Sequence, residues 1–308
     1  AAFILALAML LGVAAGCGQS AGEASVQSVS MICGLGSAGM TDRFAGVVSA
    51  LGETNIKKDD SMTIGEIKVK AGDAVNVGDV LFTYDMSQLE RIVENHKVDG
   101  IVLGRTLVND APAEYLKEKN VPFVVVGSMD DDNVIQIDHD HRSACRELTS
   151  ILLAKGMTKL ALMGGNKNHV VTLNRYRGYL DAMEDMEIPV DNGLVFFDID
   201  NSVLCEHAVE EVMKQNVECI LCMDDGICQN VLNILDKKNI VVPDDVRVAS
   251  FYNSSLLNNY QPAITSLQFD PRELGMVACK LLVDYIEGNE VKKKTHLGYE
   301  LRLKESTK

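Results

Sequence analysis

The residue with the clearest chemical potential is an arginine near the start of an amphipathic helix, just downstream of a glycine pair. The stretch Thr158 to Met183, TKLALMGGNKNHVVTLNRYRGYLDAM, reads as strand, glycine turn, loop and helix. LALM is the short apolar run of a buried strand. Gly164 and Gly165 let the backbone turn sharply and approach a ligand closely. Leu173, Tyr176, Leu180 and Met183 then fall at the three- and four-residue spacings of one helical stripe. Arg175 lies beside that stripe at the carboxyl edge of the sheet, where open α/β sheets place ligands. By residue type alone it also reads as a solvated surface arginine.

Other chemistry-bearing patterns do not assemble. Asp224 and Asp225 are adjacent, so their carboxylates diverge rather than pair for acid/base work, and no serine sits in a G-x-S-x-G elbow. Cys219 and Cys222 have C-x-x-C spacing inside the apolar run ECILCM. Strand alternation would send the two side chains to opposite faces, and no second Cys or His pair comes after them at zinc spacing. They read as small apolar filler of a reducing compartment. Gly34, Gly36 and Gly39 satisfy G-x-G-x-x-G by letter, but that fingerprint needs a strand before it, a helix opening at its last glycine and parallel βα units after it. From Ile64 the chain instead reads IGEIKVKAGDAVNVGDVLFTYD, short alternating strands with turns at Gly72-Asp73 and Gly78-Asp79, a small antiparallel β module. No cofactor, no metal and no catalytic residue is read, so the expectation is a binding protein and not an enzyme.

A length of 308 residues suits about two domains, each with its own core. Apolar residues at 47% and charged residues at 24% are ordinary for a globular chain. The formal charge of -15 repels polyanions, and neither half offers a basic face. Direct nucleic-acid binding would therefore need a separate basic module, which the sequence does not contain.

Taken in order, the chain opens on Ala, as a piece of a longer sequence would, with an apolar run over residues 1–15 that is too short to span a bilayer. That run suits the core of a secretory signal. A polar tether comes next over 19–30, and the antiparallel β module is expected over 31–86. Beyond Glu90 the pattern changes to alternating buried strands and helices. VDGIVLG, FVVVG, LALM, ECILCM and VRVASF are near-continuous apolar runs of the parallel-sheet type. Between them lie helices, one closed by Gly156 and the last opened by Pro271. The expected fold class is α/β, doubly wound.

These phrases carry three resemblances. VAAGCGQSAGEAS resembles the lipobox of bacterial lipoproteins, which implies a signal segment over 1–18, acylation of Cys17 and anchoring to the membrane on its extracytoplasmic side. FAGVV at Phe44 to Val48 and VKAGDAVNVGDVLFTYD at Val69 to Asp85 resemble the first half of the biotinyl/lipoyl-like hammerhead of periplasmic adaptor (membrane fusion) proteins of efflux systems. That resemblance ends at about residue 86, without the helical hairpin and second half that the family carries. Over 91–308, KVDGIVL, NVPFVVVG, IDHDHRSACRELTSILLAKGMTKLALMGG, RYRGYLDAM, CMDDGICQNVL, VPDDVRVASFYNS and ITSLQFDPRELGMVACKLL resemble, in order, the effector-binding domain of LacI/GalR-type transcription regulators.

The last resemblance implies a periplasmic-binding-protein-like fold of two subdomains, the first incomplete. The first would span about 91–156 and 268–288, the second about 157–267 and 289–308. A small-molecule effector, a sugar by preference, would be held in the cleft between them, in the cytoplasm, by a chain without its helix-turn-helix and in a homodimer. Arg175 matches the arginine that clamps ligand oxygens, a role suited to a fixed fork of donors that stays charged when desolvated. Asp224 and Asp225 match the family's Asn-Asp pair, Asp138 and His139 the loop that closes the cleft from the other subdomain, and Gln268 a polar residue at the last crossover. Tyr252 stands where the family has an acid. Its ring would either stack on a sugar or serve as a half-buried strand-end aromatic, while His139 by type alone reads as a loop histidine in water. The two halves imply opposite compartments and meet near Tyr84 to Arg91, the pattern of a chimera. Lipid anchoring predicts that the chain incorporates labelled palmitate and that Cys17→Ala abolishes the label; an unlabelled wild-type chain would remove the lipobox reading.

Overall fold

The computed structural model describes residues 2–5, 28–34, 40–45, 64–68, 82–104 and 106–308. The chain divides into two compact units, residues 1–97 and 98–308. In the first unit β1 (Ala2–Leu5), β2 (Ser28–Gly34) and β3 (Met40–Ala45) form an antiparallel sheet with β2 in the middle. β2 ends at Gly34, and Cys33 pairs with Met40, the first residue of β3. Gly36 and Gly39 lie outside the described residues. β4 (Ile64–Ile67) and β5 (Phe82–Tyr84) pair antiparallel, as the alternation of that stretch predicts. Helix α1 (Ser87–Glu94) then runs through the expected junction, so the boundary between units falls after it and not at 91. Cys17, the Gly-Asp turns and the polar tether before Ser28 lie outside the described residues.

The second unit alternates strands and helices throughout. In order these are β6 (Ile101–Gly104), α2 (Ala111–Glu118), β7 (Phe123–Val126), β8 (Ile135–His139), α3 (His141–Ala154), β9 (Leu160–Met163), α4 (Val170–Asp185), β10 (Val195–Phe196) and α5 (Ser202–Lys214). They continue as β11 (Cys219–Cys222), α6 (Asp225–Lys237), β12 (Arg247–Ser250), β13 (Thr265–Gln268), α7 (Pro271–Ile286), β14 (Lys294–Leu297) and β15 (Glu300–Arg302). Two sheets result. One is parallel, in the order β14-β8-β7-β6; the other runs β10-β9-β11-β12-β13-β15 and is parallel except for β15.

The larger sheet is buried on both faces, which is why its strands are apolar without alternation. Leu160, Leu162, Cys219 and Leu221 meet Leu148, Leu152, Tyr179 and Ala182 of α3 and α4. Ala161, Met163, Ile220 and Cys222 meet Val209, Val212, Val231 and Leu235 of α5 and α6 on the other side. Cys219 and Cys222 thus sit on opposite faces as free thiols. In the smaller sheet Val124, Ile135 and Ile137 pack against Ala278, Leu274, Val277 and Leu281 of α7. The expected caps are present: Gly156 closes α3 at φ 92, and Asp270 accepts from the amides of Arg272 and Glu273 beside Pro271.

Two segments lie in the other subdomain from the one expected. Helix α3, assigned to the first subdomain by the 156 boundary, covers the larger sheet, because Ala144, Leu148 and Leu152 share its core with Leu160 and Leu162. Strand β14, assigned to the second, pairs with β8 in the smaller sheet. The chain therefore crosses between subdomains after His139, after Gln268 and after Leu297.

Helices α3 and α4 lie close enough that a Cβ on Gly178 would fall 2.2 Å from the Arg142 carbonyl oxygen. Arg142–Asp181 at 2.6 Å and Arg146–Asp185 at 2.5 Å bridge the same pair on the solvent side. Exposed bridges contribute about 0.2–1 kcal/mol each, against roughly 1.5–3 kcal/mol for each buried leucine, so the apolar seam holds the helices together. Gly178→Ala should therefore lower unfolding free energy by about 3 kcal/mol in urea titration, whereas Asp181→Ala should cost less than about 1 kcal/mol.

Candidate ligand-binding site

The three crossovers converge on one aromatic ring. Phe269, between β13 and α7, lies 4.9 Å from the ring of His139, 4.6 Å from His141, 5.9 Å from Tyr252 and 6.4 Å from Tyr299. Each partner is fixed by its own element: His139 ends β8, His141 begins α3, Tyr252 comes just after β12, and Tyr299 stands between β14 and β15. The Tyr299 hydroxyl donates to Glu147 Oε2 at 2.7 Å, which ties the third crossover to α3.

Asp138 is the polar centre of the first crossover. It is 6% exposed; Ser128 Oγ donates to its Oδ2 at 2.9 Å and the His139 amide to its Oδ1 at 2.8 Å. Burial pushes its carboxyl up, but His141, Ser128 and the His139 amide together hold it below the ordinary value. For both imidazoles burial is the largest influence and lowers the pKa: His139 is lowered further by His141, while for His141 the nearby Asp138 carboxylate opposes the shift and Arg175 adds to it. At neutral pH the pair is uncharged, beside an ionised carboxylate.

Arg175 approaches from α4. Its side chain is 8% exposed; Nη1 donates to the Met223 carbonyl at 2.6 Å, Cζ stands 5.6 Å from the centre of the Tyr252 ring, and Nε has no partner among the described residues. A solvated surface arginine is thereby excluded. A buried guanidinium with one free donor beside an aromatic face presents charge and a hydrogen bond to whatever lies next to it. Met223 closes β11, and Asp224 after it caps α6 by accepting from the Ile227 amide at 2.8 Å. One Asp224 oxygen is thus committed to the helix, and Asp225 lies half-buried in the first helical turn. Gln268 ends β13 opposite Glu300.

Ring and side-chain contacts link Arg175 to Tyr252, Tyr252 to Phe269, Phe269 to His139, and His139 to Asp138. Asp224 and Asp225 stand at the head of α6, and Gln268 precedes the central phenylalanine. His139 is not a loop histidine in water: it is 4% exposed and the last residue of a strand. Sequence reasoning missed Phe269, His141 and Ser128. The repeat Asp138-His139-Asp140-His141 was a usable signal for His141; nothing local marks Phe269, whose importance comes from where three distant crossovers meet. The subdomains are also joined by main chain, since Val108 N donates to Asn168 O at 2.9 Å and Val170 N to Thr106 O at 3.1 Å.

Residues 149–307 match the family model described as periplasmic binding protein-like domain. The chain belongs to that family. Among curated relatives of this periplasmic binding protein-like chain, the HTH-type transcriptional regulator MalR of Staphylococcus xylosus is 25% identical over 207 residues, 66% of this chain and 60% of MalR. Among solved structures, a LacI transcriptional regulator from Bacillus cereus subsp. cytotoxis NVH 391-98 is 30% identical with a TM-score of 0.67, covering 71% of this chain and 79% of that one. The regulator CelR in complex with cellobiose is 25% identical with a TM-score of 0.66, covering 71% and 69%. The chain thus spans 60% of the length of MalR. The α/β two-sheet fold of residues 98–308 is that of LacI-type regulators.

Because Phe269 touches both subdomains, its truncation should be felt by both. Phe269→Ala should lower unfolding free energy by about 2 kcal/mol and retain one cooperative transition in urea. Two separate transitions would show that other contacts couple the subdomains.

Proposed function

We propose that residues 98–308 form the effector-sensing domain of a LacI-type transcription regulator, which binds a sugar between its subdomains and acts in the cytoplasm as a homodimer. One observation carries the reading. Arg175 is buried with Nε unpartnered among the described residues and stands beside the Tyr252 ring, a charged donor and an apolar face side by side, as a hydroxyl-rich ring requires. Asp138 and His139 supply acceptor and donor capacity from the other subdomain, and Asp224, Asp225 and Gln268 complete the polar set. Support also comes from CelR, which was solved with cellobiose. The charge of -15 assigns operator binding to another part of a complete regulator. A second reading, a lipid-anchored adaptor or solute-binding protein, is favoured by Ala14-Ala15-Gly16-Cys17 and by the hammerhead-like phrases before Asp85; labelling at Cys17 separates the two. Among the described residues no helix is long and apolar enough to cross a membrane.

A ligand that binds only the folded chain stabilises it by about 2.7 kcal/mol at a hundredfold excess over Kd. A melting screen with mono- and disaccharides should therefore yield a sugar that raises Tm by several degrees, and Arg175→Ala should abolish that rise while still melting cooperatively. A rise of equal size in the variant would refute the clamp.

A further inference from the structure

Asp138, His139 and His141 bring one donor atom each to within 4.8 Å of one another, and all three side chains are more than nine-tenths buried. Two features of this cluster are poorly explained by hydrogen bonding. His141 Nε2 lies 3.4 Å from Asp138 Oδ1, well beyond the roughly 2.7–2.9 Å of a charge-assisted bond. That separation is instead the edge of a tetrahedron whose ligands stand about 2.0–2.1 Å from a central ion. In addition, His139 Nε2 has no partner among the described residues. Buried polar atoms are rarely left in that state, because each unmade bond costs about 1–3 kcal/mol.

We propose that Asp138, His139 and His141 bind a single divalent transition-metal ion at the first crossover, with zinc as the ion that suits two imidazoles and one carboxylate. The surrounding charge favours a cation. Asp140 and Asp270 add their fields to that of Asp138, against the guanidinium of Arg175. Asp138 also lines a pocket of about 120 Å³ with Ser128, Gln136, Lys294 and His296. Three protein ligands leave a fourth position for water, as in open zinc sites. Bound there, the ion would present its open position to a sugar in place of the Asp138 and His139 side chains, and would tie the last strand residue of one subdomain to the first helical turn of the other.

The test uses the whole chain, stripped with chelator and dialysed, with metal alone and no sugar, so that its outcome is separate from that of the sensing proposal. Titration with Zn²⁺ should show one ion per chain. Titration with Co²⁺ should give the visible bands of a tetrahedral nitrogen and oxygen site, without the near-ultraviolet charge transfer that thiolates produce. His139→Ala and Asp138→Asn should each weaken Zn²⁺ binding at least tenfold, and His207→Ala, on α5, should leave it unchanged. If either site variant fails to fold, the Co²⁺ spectrum of the unaltered chain decides. Absence of stoichiometric binding, a thiolate spectrum, or unchanged affinity in His139→Ala would overturn the proposal.

Discussion

The packing of Phe269 against His139, His141, Tyr252 and Tyr299 is the contact on which the second unit depends. Three separate chain crossings meet here: the second carries Phe269, the first contributes His139 and His141 and the third Tyr299, while Tyr252 joins from the end of β12. Each sheet has its own apolar core, so either could hold together by area burial alone. Their mutual placement cannot come from those cores, because none of the three spans both sheets. It comes from the main-chain links at Val108 and Val170 and from the crossovers, where rings replace aliphatic packing and polar atoms must be satisfied one by one.

Arg175 is held by the same kind of mixed contact. Desolvating a guanidinium is costly unless its donors are paired, and the main chain at Met223 supplies one acceptor at 2.6 Å. The aromatic face of Tyr252 supplies the second interaction. The charge is thus met by a carbonyl and a π face.

Much of this arrangement was legible in the sequence and part was not. The apolar runs LALM and ECILCM announced two-sided strands, and Gly156 and Pro271 marked helix ends. The stripe read at Leu173, Tyr176, Leu180 and Met183, however, is offset from the buried face of α4, which is Thr172, Arg175, Tyr179, Ala182 and Met183. Helix α3 went to the wrong subdomain because periodicity reveals an apolar stripe but not which sheet the stripe covers. The same limit misplaced β14, whose residues Lys294 to Leu297 are polar enough to give no sheet preference. His139 looked solvated because its burial depends on Phe269, 130 positions away in the chain, and no local pattern carries that information. Beyond the glycine cluster the alternation from Ile64 announced antiparallel strands, and β4 and β5 pair in that way.

The main-chain links between Thr106 to Val108 and Asn168 to Val170 must break before the subdomains can part there. Two such bonds contribute roughly 2 kcal/mol net, in addition to the packing around Phe269, so parting the subdomains costs more than that. An incoming molecule would then meet a receptive chain only a small fraction of the time, and association would run below the encounter rate by the same factor. Because peptide groups make the links, substitutions of loop side chains that keep the backbone path would change what is held there without changing how often the way in opens.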